Sequence, residues 1–204
     1  QPSIEDPVGQ SLPVFRKCAD RIFSALQGLM KELKELKTKK AEQKHRVARV
    51  AIGGDHRGYQ MKEALVEFLK AKGYEVADCG AYSPESSDHP DQAFAVAELV
   101  RDHKVDRGVL VCSNGVGMTI AANKVSGVYA ALVSNTKNAR QAREHNGANV
   151  LCLPGDALEM KEAQEILDVF LTTEPLEGEE ARYRRRREKI RKYEIEHSKE
   201  EPTH

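Results

Sequence analysis

Gly108-Val-Leu-Val-Cys112-Ser-Asn-Gly115-Val-Gly117-Met-Thr-Ile-Ala-Ala-Asn-Lys124 is the stretch that decides the fold of this chain. Its apolar run, residues 109–111, is short and β-rich, as a buried strand is. It delivers Cys112 to a loop holding Gly115 and Gly117, and a helix-like run over residues 118–124 follows at once. A helix start offers unpaired backbone N–H groups and a partial positive charge, and both favour a thiolate or an oxyanion nearby. Two readings of Cys112 stand open on this segment: a reactive thiol at a strand end, or a buried core cysteine beside a turn that serves packing.

The same alternation extends to both sides. Residues 47–52 form a β-branched run ending in Gly53-Gly54, followed by an amphipathic helix over about 58–72 that Gly73 is placed to stop. Residues 75–79 read as a strand and 91–103 as a helix. After the central strand (109–112) and helix (116–124), the pairs 128–133 with 136–145 and 149–153 with 157–171 complete the series. Five strand–helix units in succession predict an α/β fold: a doubly wound, parallel five-stranded sheet of Rossmann-like three-layer αβα form. Ligands of such sheets bind outside the carboxyl ends of the strands. Asp55-His56, residues 112–117 and the segment after Val133 are therefore the candidate site.

Composition limits the alternatives. The 204 residues suffice for one sizeable domain plus an extension. Thirty-two basic residues balance 32 acidic ones, so charge gives no reason to expect nucleic acid or an anionic membrane as partner. No apolar stretch approaches the roughly 20 residues of a membrane span. The first 17 residues lack the apolar run of a signal peptide, and Gln1 in the place of Met leads us to expect a natural chain that starts earlier. Cys18, Cys79, Cys112 and Cys152 show no C-x-x-C spacing, so neither a disulfide framework nor a zinc site is expected. A reducing, cytoplasmic location is expected, with Cys112 a free thiol.

Residues 1–13 contain three prolines and read as a loose arm. Phe15, Ile22, Leu29 and Leu36 then alternate with Ala19, Leu26 and Leu33 in a heptad seam, which must be buried against the domain or a partner. Residues 37–46 carry five Lys or Arg and read as a solvated helix end or linker. From residue 177 the chain turns strongly charged, with Arg182 and Arg186 four apart on one helical face, spaced to reach one anion. The expected division is a helical extension over 1–45, an α/β domain over 46–175, and a basic C-terminal helix and tail over 176–204.

Several separated motifs carry a family resemblance. Val50-Ala-Ile-Gly-Gly-Asp55-His56, Lys62-Glu-Ala-Leu, Gly115-Val-Gly-Met-Thr-Ile-Ala-Ala-Asn123-Lys124, Arg143-Glu-His145-Asn146-Gly-Ala-Asn149-Val150 and Arg186-Arg187-Glu188-Lys189-Ile190 occur in order over about residues 46–195. In them the sequence resembles the type B ribose-5-phosphate isomerases and the related galactose-6-phosphate isomerase subunits. The resemblance implies a homodimeric or larger homo-oligomeric enzyme, its site shared between two subunits, that interconverts aldose and ketose phosphates through a cis-enediolate, with no metal and no cofactor. It implies Cys112 as the base between C1 and C2, with the backbone of Ser113, Asn114, Gly115, Val116 and Gly117 cradling the enediolate oxygens. His145, assisted by Asp55, would open the furanose ring, and Asn146 would hydrogen-bond a sugar oxygen. His56, Arg182 and Arg186 would hold the phosphate.

The sequence also departs from the family. Members usually carry a phosphate-binding arginine eleven residues after the ring-opening histidine, and here Asp156 stands in that place. Tyr129 and His89 replace a common arginine and tyrosine, and Asn114 replaces a hydroxyl residue. Val116 occupies a position where some members use a glutamate base, which leaves Cys112 as the base of the loop. Ribose 5-phosphate and ribulose 5-phosphate are the expected substrate pair. The alternatives are a tetrose or hexose phosphate, or a non-catalytic relative that binds a ligand or partner.

Overall fold

Five short strands pair in the order β2-β1-β3-β5-β4, every pair parallel. They are β1 (Arg49–Gly54), β2 (Glu75–Asp78), β3 (Arg107–Cys112), β4 (Ala130–Leu132) and β5 (Val150–Pro154). In this computed structural model, residues 12–44, 47–176 and 181–197 are described, without the side chains of 15, 34–44 and 181. The helices are α1 (Leu12–Lys44), α2 (Tyr59–Ala71), α3 (His89–Arg101), α4 (Val116–Ala122), α5 (Thr136–Asn146), α6 (Met160–Thr172) and α7 (Ala181–His197). The parallel five-stranded α/β fold expected from the sequence is thus the one observed.

Side-chain alternation in β3 explains the layers. Val109 and Val111 point into one core with Leu65, Leu69, Ile166, Leu167 and Phe170, from α2 and α6. Leu110 and Cys112 point into the other, with Val96, Val100 and Met118 from α3 and α4. Both faces of β3 and β5 are sealed, so these strands read as continuous apolar runs rather than alternating ones. Gly108 permits this on the α3 side: a Cβ there would lie 2.7 Å from Val96 Cγ1.

Element ends shift for identifiable reasons. Helix α3 begins at His89, two residues earlier than expected, because Pro90 fits the first turn, where its missing N–H costs nothing. Pro13 does the same for α1, so Leu12 and Pro13 are helical and only residues 1–11 of the expected arm lie outside the described residues. Helix α4 stops at Ala122 because Asn123 turns to the start of β4, exchanging bonds with Ala130 N and O at 2.9 Å. The expected strand over 128–133 shrinks to three residues, Val128 being drawn into a turn on Val125.

The chain divides into two compact units, Gln1–Arg46 and Val47–His204. In the first, α1 is 33 residues long, about 50 Å at the helical rise. Its heptad residues Ile22, Leu26, Leu29 and Leu33 are about half exposed. The side chains of Phe15 and Leu36, which belong to the same seam, lie outside the described residues. In the second unit, α7 packs on α5.

Asp106 fastens the start of β1 to that of β3. Its Oδ2 accepts from the amides of Ala48 (3.0 Å) and Arg49 (2.9 Å), and its Oδ1 accepts from Arg49 Nη2 (2.9 Å). Burial pushes this carboxyl up, but the Arg49 guanidinium and the two amides outweigh it and hold it below its ordinary value. A folded value below the unfolded one contributes stability that is complete above about pH 4 and is lost as pH falls through the folded value. Asp106→Asn should therefore lose about 2 kcal/mol at pH 7 in denaturant unfolding, with the difference from wild type shrinking below about pH 4.

Candidate active site

At the carboxyl end of β1 the chain must turn sharply into α2, and Asp55 makes the turn. Its Oδ1 accepts from the amides of Arg57 and Gly58, both at 2.9 Å, and the residue is buried. Gly58 lies so close to β3 that a Cβ would fall 2.2 Å from the Val111 carbonyl oxygen. His56 is turned outward by Ser87, whose amide donates to Nδ1 at 3.3 Å. The Nε2 of a neutral ring is then the protonated nitrogen, available as a donor.

On the next strand, Cys112 ends β3 with 5% exposure. Gly115 N–H donates to its Sγ at 3.2 Å, and Val116 N–H donates to Asn114 Oδ1 at 3.0 Å. Gly115 has φ +75°, and a Cβ there would also fall 2.3 Å from Leu132 Cδ1. His89 lies over the loop, since a Cβ on Gly117 would fall 2.5 Å from its Nε2. The neighbouring thiol, Cys152, lies on β5. Cys152 is fully buried and pushed up to about 12 by that burial, so it stays a protonated core thiol.

The β5–α6 turn completes this end. Gly155 N–H donates to the Cys112 carbonyl (2.7 Å) and Asp156 N–H to the Ser113 carbonyl (3.0 Å). Asp156 Oδ2 accepts from both Ser113 Oγ and Arg57 Nη2, each at 2.7 Å. Arg57, with Ser113 behind it, holds this carboxyl below its ordinary value. Asp156 thus points into the loop region, with the charge of Arg57 against it.

His145 and Asn146 are elsewhere. Helix α5 leaves the carboxyl end of β4 and runs back to the amino end of β5, so its eleven residues carry His145 about 15 Å down the sheet. One chain does not bring them into the crevice of Cys112. There the His145 ring stacks on Tyr183 with centroids 4.1 Å apart and planes 4° from parallel. Arg182 and Arg186 gather at the same ring, their guanidinium carbons 4.6 and 6.0 Å from its centre. Arg182 Nη2 also donates to the Tyr183 hydroxyl at 2.9 Å. Tyr129 belongs to this end too, its hydroxyl 3.4 Å from Glu194. The candidate residues therefore form two clusters, Asp55, His56 and residues 112–117 in one and His145, Asn146, Arg182 and Arg186 in the other.

Sequence reasoning missed Arg57 and Tyr183. Arg57 directly follows His56, but its partner is 99 residues away, so spacing gave no signal. Tyr183 sits between two candidate arginines, and its aromatic ring in a charged helix was the available clue.

The Ribose/Galactose Isomerase family model matches residues 50–190. A Mycoplasma genitalium protein named probable ribose-5-phosphate isomerase B is 44% identical over 149 residues, 72% of this chain and 96% of its own. The Escherichia coli ribose-5-phosphate isomerase B is 39% identical over 123 residues, 60% of this chain and 83% of its own. Among solved structures, Clostridium thermocellum ribose-5-phosphate isomerase B superimposes with a TM-score of 0.70 at 42% identity, covering 73% of this chain and 99% of that one.

The loop tolerates no side chain at Gly115. Gly115→Ala should cost about 2 kcal/mol or more in unfolding free energy through its positive φ and the Leu132 contact, and should misplace Cys112. Denaturant unfolding together with native-state thiol labelling checks both effects.

Proposed function

This chain belongs to the ribose/galactose isomerase family, and from that premise we propose how its residues act. It is an aldose–ketose isomerase, with ribose 5-phosphate and ribulose 5-phosphate as the substrate pair. The observation that carries the reading is a thiol at the end of the central strand, at the start of a glycine-bearing loop whose Gly115 N–H donates to the sulfur.

The reaction moves one proton from C2 to C1, so that C2 is oxidised to the ketone as C1 is reduced to the alcohol. Cys112 thiolate takes the C2 proton of the open-chain aldose, and the electron pair left behind forms the cis-enediolate with negative charge on oxygen. The same thiol returns its proton to C1, giving the ketose, while the hydroxyl protons rearrange between O1 and O2. The amides of Gly115 and Val116 are engaged by Cys112 and Asn114, so stabilising the enediolate falls to those of Ser113, Asn114 and Gly117. His56 Nε2 takes the phosphate end.

Ring opening requires a proton donor near O4, the furanose ring oxygen, and the topology of the fold keeps a chain's own His145 from its Cys112. We assign this step to His145 of a second copy, with Asn146 on a sugar oxygen and Arg182 and Arg186 on the phosphate. The minimal active unit is then a homodimer with two shared sites. Val116, Ile120 and Leu132, apolar and 42–58% exposed around the Cys112 loop, offer the surface such a partner would cover. Asp55 has one oxygen committed to its own loop, so its help to that histidine falls to the other oxygen. A cytoplasmic location agrees with the need for a reduced Cys112, and no helix among the described residues is long and apolar enough to cross a membrane.

Two measurements test this. Cys112→Ala should lower kcat for ribose 5-phosphate by about a thousandfold or more, with the fold intact by circular dichroism; activity near wild type would end the assignment of the base. Inactive Cys112→Ala and His145→Ala chains, unfolded together and refolded as a mixture, should recover about a quarter of the wild-type rate, because half the dimers are mixed and each holds one complete site. No recovery would place both residues in one chain's site.

A further inference from the structure

The sheet order puts β3 between β1 and β5, so anything joining the carboxyl ends of β1 and β5 must pass over the end of β3. Arg57, after β1, and Asp156, after β5, are joined in this way by a 2.7 Å ion pair. Beneath them lies the turn of Cys112 and Ser113, and Ser113 Oγ donates to the same carboxylate oxygen. The pair is therefore a bridge across the mouth of the Cys112 loop. His56, the donor assigned to the phosphate end, is the residue next to Arg57.

We propose that Arg57 is a phosphate-binding residue of this site and that Asp156 is a positioning residue that holds its guanidinium over the loop. The inference rests on the isomerase reading above and adds to it a cation that none of the motifs marks. A guanidinium carries five N–H groups in a flat fork. One goes to Asp156 at the mouth, and the Arg57 side chain is 58% exposed beside it.

The charge arrangement calls for such a cation. The Cys112 end of a chain carries the carboxylates of Asp55 and Asp156, and a phosphate there meets repulsion from both unless a positive group intervenes. Asp55 is buried with one oxygen taken by two amides. Asp156 is exposed, and Arg57 is the group set against it. Asp156 also holds Ser113, so one carboxylate fixes both a guanidinium and a hydroxyl at the rim of the site.

The test is steady-state kinetics on the full chain with ribose 5-phosphate, with inorganic phosphate as competitive inhibitor and as a calorimetric titrant. Arg57→Ala should raise KM and the inhibition constant of phosphate together, by about tenfold, with kcat within about twofold of wild type. Arg57→Lys should recover part of the loss, since it keeps the charge without the fork. Asp156→Ala should weaken phosphate by about threefold in the wild-type chain but not in the Arg57→Ala background, the coupling expected of a positioning residue. An unchanged phosphate constant in Arg57→Ala overturns the proposal, and tighter phosphate binding in the single Asp156→Ala variant overturns the positioning role. A wild-type chain that titrates phosphate through Arg57 yet does not isomerise ribose 5-phosphate overturns the isomerase reading while leaving the phosphate role standing.

Discussion

In a parallel sheet every strand is followed by a helix that returns to the starting end, and that return path governs the chemistry of this chain. Cys112 closes a strand, so it stands at the carboxyl pole; His145 closes a helix, so it stands at the amino pole. Helix α5 packs on α6 and buries Ala139 and Ala142 in the core, which fixes His145 at the helix's far end. A reaction that uses both residues must draw them from two chains. In a twofold dimer each chain then gives its Cys112 pole to one site and its His145 pole to the other.

The Cys112 pole was legible in the sequence because everything there is local. A strand, a thiol, two glycines and a helix lie within 17 consecutive residues, and the strand-end rule places them without further information. The place of the His145 pole is not local in this way. Arg143 to Val150 reads as one motif, but a helix end and a strand start belong to the opposite edge of the sheet from the strand ends. Tyr183 and Arg57 were not legible: one is defined by stacking on a ring 38 positions away and the other by a carboxylate 99 positions away.

Asp156 shows how a substitution that looks unfavourable alone is resolved by its surroundings. Read along the chain, a carboxylate replaces an expected cation next to a phosphate site. In the fold, Arg57 reaches it from two strands away and Ser113 from one, so its charge is offset and its two partners are fixed. The cationic group has not left this end of the sheet; it is supplied from a different loop.

A site divided between chains gains from poles that are rigid before they meet, since every mobile side chain adds to the entropy lost on docking. Each pole here is fastened by a buried cation. Under the β1–α2 turn, Lys62 has no exposed surface and its ammonium donates to both oxygens of Asp78, at 2.8 and 3.0 Å, and to Glu63. Asp78 in turn accepts from Gly80 N–H, and Gly80 carries its carbonyl to Gly54 N–H, so the strand end that leads into Asp55 and His56 is tied to the cation below it. At the other pole Arg143 donates to the carbonyls of Thr173 and Ala148 and lies 3.6 Å from Glu174, with its pKa drawn down to about 10 by burial. His145 and Asn146 follow it by two and three residues on the same helix. Arg143 holds backbone carbonyls directly, and Lys62 holds the Asp78 carboxylate that binds Gly80 N–H, so each cation fixes the backbone that carries its pole.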